Sequence, residues 1–188
     1  YCFKKIFIKQ IIDTSIYTIY QQYAHTIVVT HLTNQEKLSK LRELIDQITE
    51  FGINPKVELT NKTDVLKKLL VGIYSEFINV EFEFDETDYD EEPDFDYNEI
   101  KENVKSNFPD FDWYSMVLDS NKMEPNIEIG IGDELEDLTD IIKDLLEVKW
   151  RLENTSENDA LWTFEFSMRT HSEQHLVDLL KRLKERNE

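Results

Sequence analysis

The chain has 188 residues, 40% of them hydrophobic, and a formal net charge of −19. This is enough apolar material for one buried core, so a single domain over 1–188 is expected. An acidic balance of this size argues against nucleic acid and anionic membrane surfaces as partners, since both demand cations.

The chain opens on Tyr1 rather than Met, as a truncated or processed sequence does. Cys2 is the lone cysteine, which rules out an intrachain disulfide and a Cys-based zinc site. A reducing cytoplasm is the expected compartment. Lysines ahead of apolar residues give the opening the look of a signal peptide. Lys9, Gln10 and Asp13 interrupt the apolar run, however, and no small-residue cleavage site follows.

Residues 3–23 carry a helical stripe of Ile8, Ile12, Ile16, Ile19, Tyr20 and Tyr23. A cleaner helix follows, with Thr33 and Glu36 as a capping box, Leu38, Leu41, Ile45 and Ile48 on one face, and Gly52 as its stop. A third helix is predicted from near Thr63 through DVLKKLLVGIYSEFI, running into VEFEF, which alternates like a strand. Residues 85–96 hold eight carboxylates in twelve positions with Pro93 among them, and are predicted to be an acidic loop. YNEIKENVKSNF reads as a short helix, and DWYSMVLDSNKMEPNIEIGIG as irregular.

Beyond Gly132 there is neither glycine nor proline. Asp133 and Glu136 open an acidic-first helix with Leu135, Leu138, Ile142, Leu145 and Leu146 on its apolar face. ENTS ends it, and Ser156 with Asp159 caps a second, giving an αα-hairpin over 133–186. The stretch LWTFEFSM is ambiguous. Trp162, Phe164, Phe166 and Met168 alternate as in a strand, whereas Leu161, Phe164, Met168, His171 and His175 share a helical face. A strand would need a turn at Arg169–Thr170, where nothing favours one, so helix is predicted. The fold class is thus mainly α, with five to seven helices. An α+β fold with short strands near 79–84, 127–131 and 161–168 is the alternative.

The stretches YDEEPDFDYNEIKENVKSNFPDFDWYSMVLD and IGDELEDLTDIIKDLLEVKWRLENTSENDALWTFEFSMRTHSEQHLVDLL resemble a family of small bacterial proteins catalogued only as a domain of unknown function. The likeness covers about residues 60–185 and rests on the Asp-rich helix, the ENTSENDALW junction and the paired histidines. It implies a mostly helical, cytoplasmic bacterial domain and brings no activity with it.

Two patterns carry chemistry. His171, His175 and Asp178 fall at i, i+4 and i+7 of one helix, while Asp133, Asp137, Asp140 and Asp144 form a stripe on the preceding one. If the hairpin brings these together, His171, His175, Asp178, Asp137 and Asp140 could hold a divalent transition metal. The bland reading is that the histidines sit at the core edge and bond to carboxylates or backbone carbonyls. HSEQH lacks the HExxH order, and no repeated Glu-x-x-His, EF-hand, nucleophile elbow, dinucleotide loop or P-loop occurs.

The second pattern is charge. Residues 1–84 carry ten basic and ten acidic side chains, and residues 85–188 eleven against thirty. Asp88, Asp90, Glu91, Glu92 and Asp94, with the nearby aromatic residues Trp113 and Tyr114, are the expected surface for a basic protein partner. The leading functional expectation is therefore a non-enzymatic acidic binding module, masking a basic partner as immunity proteins do. The alternative is a metal-binding or metal-dependent protein using the His/Asp cluster.

Overall fold

The computed structural model describes residues 34–89, 93–119 and 121–186. The chain falls into two compact units, Tyr1–Lys37 and Leu38–Glu188. Of the first, only the opening turn of a helix from residue 34 is described, so the 3–23 stripe and Thr33 lie outside the described residues.

In chain order the elements are α1 (Asn34–Ile53), α2 (Lys62–Phe77), α3 (Tyr97–Asn107), β1 (Trp113–Val117), β2 (Ile129–Asp133), α4 (Glu134–Asn154), α5 (Glu157–Ser167) and α6 (Glu173–Glu185). A π-helical turn, Met168–Ser172, joins α5 to α6 with helical backbone throughout. The fold is mainly α. Among the described residues no helix is long and apolar enough to cross a membrane.

Apolar stripes explain the packing. Leu41, Ile45, Ile48 and Phe51 of α1, Leu66, Leu70 and Ile73 of α2, and Leu138, Ile141, Ile142 and Leu145 of α4 are buried in one core. Phe164 of α5 and Leu176, Leu179 and Leu183 of α6 join the same core. Caps set the boundaries as local chemistry dictates. Asp96 accepts from the Asn98 and Glu99 N–H groups, Asp133 from Leu135 N–H, and Ser156 Oγ from Asp159 N–H.

Several expectations are corrected. Gly52 does not stop α1, which runs to Ile53. It is a packing glycine: a Cβ there would stand 2.5 Å from Ile142 Cγ2 and 2.9 Å from Ile100 Cγ2. Residues 79–84 and 161–168 are not strands; the first is irregular and the second is helical up to the π-turn. The stretch read as irregular instead forms an antiparallel hairpin, Trp113↔Asp133 through Val117↔Ile129. Its second strand lies near the 127–131 alternative, and its first falls where no strand is expected.

One buried amide ties three helices. Asn107 Nδ2 donates to the carbonyls of Phe51 and Asn54, and Asn107 Oδ1 accepts from Val57 N–H and Lys62 Nζ. Its polar atoms are thus satisfied by backbone groups at the end of α1 and in the connection after it, and by the residue that opens α2.

Gly52→Ala sets two effects against each other. Alanine favours a helix interior by about 1 kcal/mol, but the two isoleucine methyls branch close to the backbone and cannot swing away. Overpacking should win, with a net loss of about 1–3 kcal/mol in urea unfolding. Equal or greater stability in the variant would contradict this packing.

Candidate metal centre

The helices α4 and α6 run antiparallel, and a ladder of charged contacts records their register. Glu134, at the start of α4, meets Arg182 and Arg186 near the end of α6, with Nε–Oε1 distances of 3.2 and 2.9 Å. One turn further along α4, Asp137 Oδ1 lies 2.8 Å from His175 Nδ1. Asp144 Oδ2 lies 2.9 Å from His171 Nδ1 and also accepts from Ser172 Oγ. Rising numbers on one helix meet falling numbers on the other, as a hairpin requires.

Glu134 anchors this ladder. It is fully buried, and its Oε2 accepts from Asp112 N–H at 2.8 Å. Its Oε1 and Arg182 Nε face each other without hydrogen-bond alignment, so attraction there is ionic. A buried carboxylate needs such compensation, and removing its partners would strand the charge.

The π-turn places the histidines. Phe164, Met168, Ser172, Leu176, Leu179 and Leu183 are all buried and form the continuous core stripe. The stripe drawn from Leu161, Phe164 and Met168 to His171 and His175 is therefore off by one residue beyond Met168. A π-turn holds more residues per turn than an α-turn. It rotates the two histidines off the core and toward the acidic stripe of α4. His171 is exposed and His175 half-buried, and their rings pack edge-to-face at 4.9 Å.

One ligand atom from each of Asp140, His171 and His175 lies within 4.8 Å of the other two. His175 Nε2 stands 3.7 Å from Asp140 Oδ2. Asp137 and Asp144 sit on the Nδ1 nitrogens instead, leaving Nε2 as the nitrogen open to each imidazole. Asp178 is elsewhere engaged, accepting from Gln174 Nε2 at 2.6 Å. Of the expected ligands, the fold thus converges Asp140, His171 and His175, places Asp137 behind His175, and leaves Asp178 outside the set.

Three residues that the sequence does not assign to this site complete it. Ser172 is buried and holds Asp144. Tyr97 hydrogen-bonds Asp140; burial first, and then that carboxylate, push its phenol far above the ordinary value. Tyr114 donates to Asp137 Oδ2 at 2.6 Å and is raised likewise, burial leading. A side chain at Gly132, across the strand pair, would run into the Tyr114 ring, so glycine there opens the path from hairpin to site.

The residues expected to bind a partner are described only in part. Asp88 and Asp94 are exposed, and Asp90, Glu91 and Glu92 lie outside the described residues. Trp113 and Tyr114 occupy opposite faces of the hairpin, with Trp113 outward and Tyr114 turned to Asp137.

A family described as a domain of unknown function, DUF5063, matches residues 59–186. The chain belongs to this family. No curated protein matches it. It is similar in structure to protein BF1032 from Bacteroides fragilis, with a TM-score of 0.61 over 79% of this chain and 90% of that one. At 17% identity this likeness shows the fold alone. For DUF5063 in this chain, the matched segment holds the whole α4–α6 ladder.

Asp137 beside His175 raises that histidine above its ordinary value of 6.5; burial opposes the shift, while Asp140 and Asp144 add to it. The protonated ring is the form these carboxylates favour. In chelator-treated protein, its contribution to stability should therefore be complete below about pH 6.5 and fade as pH climbs through the raised value. Urea midpoints measured from pH 6 to 9 should fall across that window, and His175→Gln should flatten the fall. A native midpoint that ignores pH, or an identical fall in the variant, would contradict the pairing.

Proposed function

We propose that this DUF5063 protein binds a divalent transition metal through Asp140, His171 and His175. The observation that carries the reading is the convergence of two imidazoles and one carboxylate within 4.8 Å on two different helices. Nitrogen and carboxylate donors suit Zn²⁺, Mn²⁺ or iron. Ligands on one tetrahedral zinc stand roughly 3.3 Å apart, given bond lengths of about 2.0–2.1 Å. Side-chain movements of about an ångström would close the set.

The surrounding groups support the assignment. A metal-binding histidine commonly gives its other ring N–H to a carboxylate, which fixes the tautomer and raises basicity. Asp137 and Asp144 stand where such partners belong. The two tyrosine hydroxyls hold Asp137 and Asp140 in place from outside.

A second reading is a non-enzymatic acidic module that masks a basic partner, as immunity proteins do. The thirty acidic against eleven basic side chains of residues 85–188 favour it. Both readings suit a cytoplasmic protein, the compartment that a single cysteine favours.

Calorimetric titration of chelator-treated protein with Zn²⁺ tests the metal reading. One ion per chain is expected, with His171→Ala and His175→Ala each losing at least about tenfold in affinity and Asp137→Asn about 10–100-fold. Absence of stoichiometric binding, or equal binding by the histidine variants, would sink it.

A further inference from the structure

The hairpin that sends Tyr114 inward leaves its other face bare. Directly opposed residues of an antiparallel pair share a face. Trp113, Ser115, Val117, Ile129, Ile131 and Asp133 therefore stand together on the outer side. The four apolar members are 69%, 43%, 61% and 77% exposed in that order: Trp113, Val117, Ile129 and Ile131. A two-stranded ribbon is marginal in water by itself, and sheets of small domains bury their faces against another layer. Contiguous exposed apolar surface of this kind marks an interaction site.

The rim says what chemistry would cover it. Residues 110–133 contain Asp110, Asp112, Asp119, Glu124, Glu128 and Asp133 against a single cation, Lys122. That lysine is already paired with Glu128 at 2.6 Å. An apolar strip carried by a segment with six carboxylates and one lysine complements an element that is apolar along one side and cationic along its flanks. A second copy of the chain fits poorly, because it would bring another −19 of charge.

We infer that the outer face of the β1–β2 hairpin is the docking site for a basic amphipathic helix of a partner protein. This rests on the partner-binding reading given above and is independent of the metal. The dimensions agree. Five residues of strand extend about 17 Å, the length of roughly eleven helical residues at 1.5 Å each. Two strands about 5 Å apart, with their side chains, match a helix about 10 Å across. Trp113 is the anchor: its Nε1 donates to Asp133 Oδ2 at 3.1 Å, so the ring is already oriented before a partner arrives.

The test uses the full chain and two synthetic 14-residue peptides of identical lysine and leucine content. One carries its leucines at i, i+3, i+4 and i+7 spacing; the other is scrambled so that no stripe forms. Fluorescence anisotropy should show the striped peptide binding at least about tenfold more tightly than the scrambled one. The doubly substituted chain Trp113→Ala/Ile131→Ser should lose that difference. Because both side chains are exposed, circular dichroism should show the variant folded as the parent. Equal affinity for the two peptides would mean that charge alone binds, and would overturn the docking site. Undiminished preference in the substituted chain would place binding on another surface and overturn it too. If neither peptide binds, the basic-partner reading itself fails. Sedimentation showing self-association that the substitutions abolish would assign the face to a second copy and refute the inference.

Discussion

The register of α4 against α6 is the constraint on which the rest depends. Hydrophobic contact alone does not specify it well, because leucine and isoleucine stripes tolerate sliding. The buried Glu134 does. Its charge is compensated only where Arg182, Arg186 and the Asp112 N–H meet it, and a shift by one helical turn would leave it unpaired in the core. Replacing such a network by apolar residues can leave stability unchanged, but breaking it is costly, so its effect is on alignment. Once Glu134 is seated, Asp137, Asp140 and Asp144 arrive opposite His175 and His171 without further adjustment.

The π-turn is the second half of that arrangement. Without it, a continuous α-helix from Glu157 would carry either the histidines or Ser172 and Leu176 to the core, not both sets to their present places. Ser172 fills the core position and still reaches Asp144. The local departure from α geometry therefore separates a packing stripe from a chemical one on the same rod. Such turns recur at functional sites. Here the turn lies directly beside the one group among the described residues, Asp140, His171 and His175, whose ligand atoms all lie within 4.8 Å of one another.

Much of this was legible from residue order. Ser156 with Asp159, Asp133 at the head of α4, and the glycine-free run after Gly132 mark the hairpin by short-range chemistry. The helical placing of His171 and His175, and of the acidic stripe facing them, follows from periodicity. What escaped is long-range or cooperative. WYSMV does not alternate apolar with polar, because its outer face is apolar yet exposed, so β1 lacked the pattern of a half-buried strand. Gly52 carries a helix-stop signal locally, whereas its role is set by Ile100 and Ile142 from other helices. Asn107 and Glu134 look like ordinary surface residues until the chain closes over them. The one-residue rotation at Met168–Ser172 cannot be read from a strict 3.6-residue period.

Anomalous diffraction from a crystal of the full chain soaked in Zn²⁺ would locate a bound ion and its ligands together. A single strong peak is expected, bonded to the Asp140 carboxylate and to one ring nitrogen each of His171 and His175, at about 2.0–2.2 Å. Asp137 and Asp144 should remain on the opposite nitrogens. A peak held only by surface carboxylates, or a ladder in which both rings keep their carboxylate contacts with no metal between them, would contradict the metal reading.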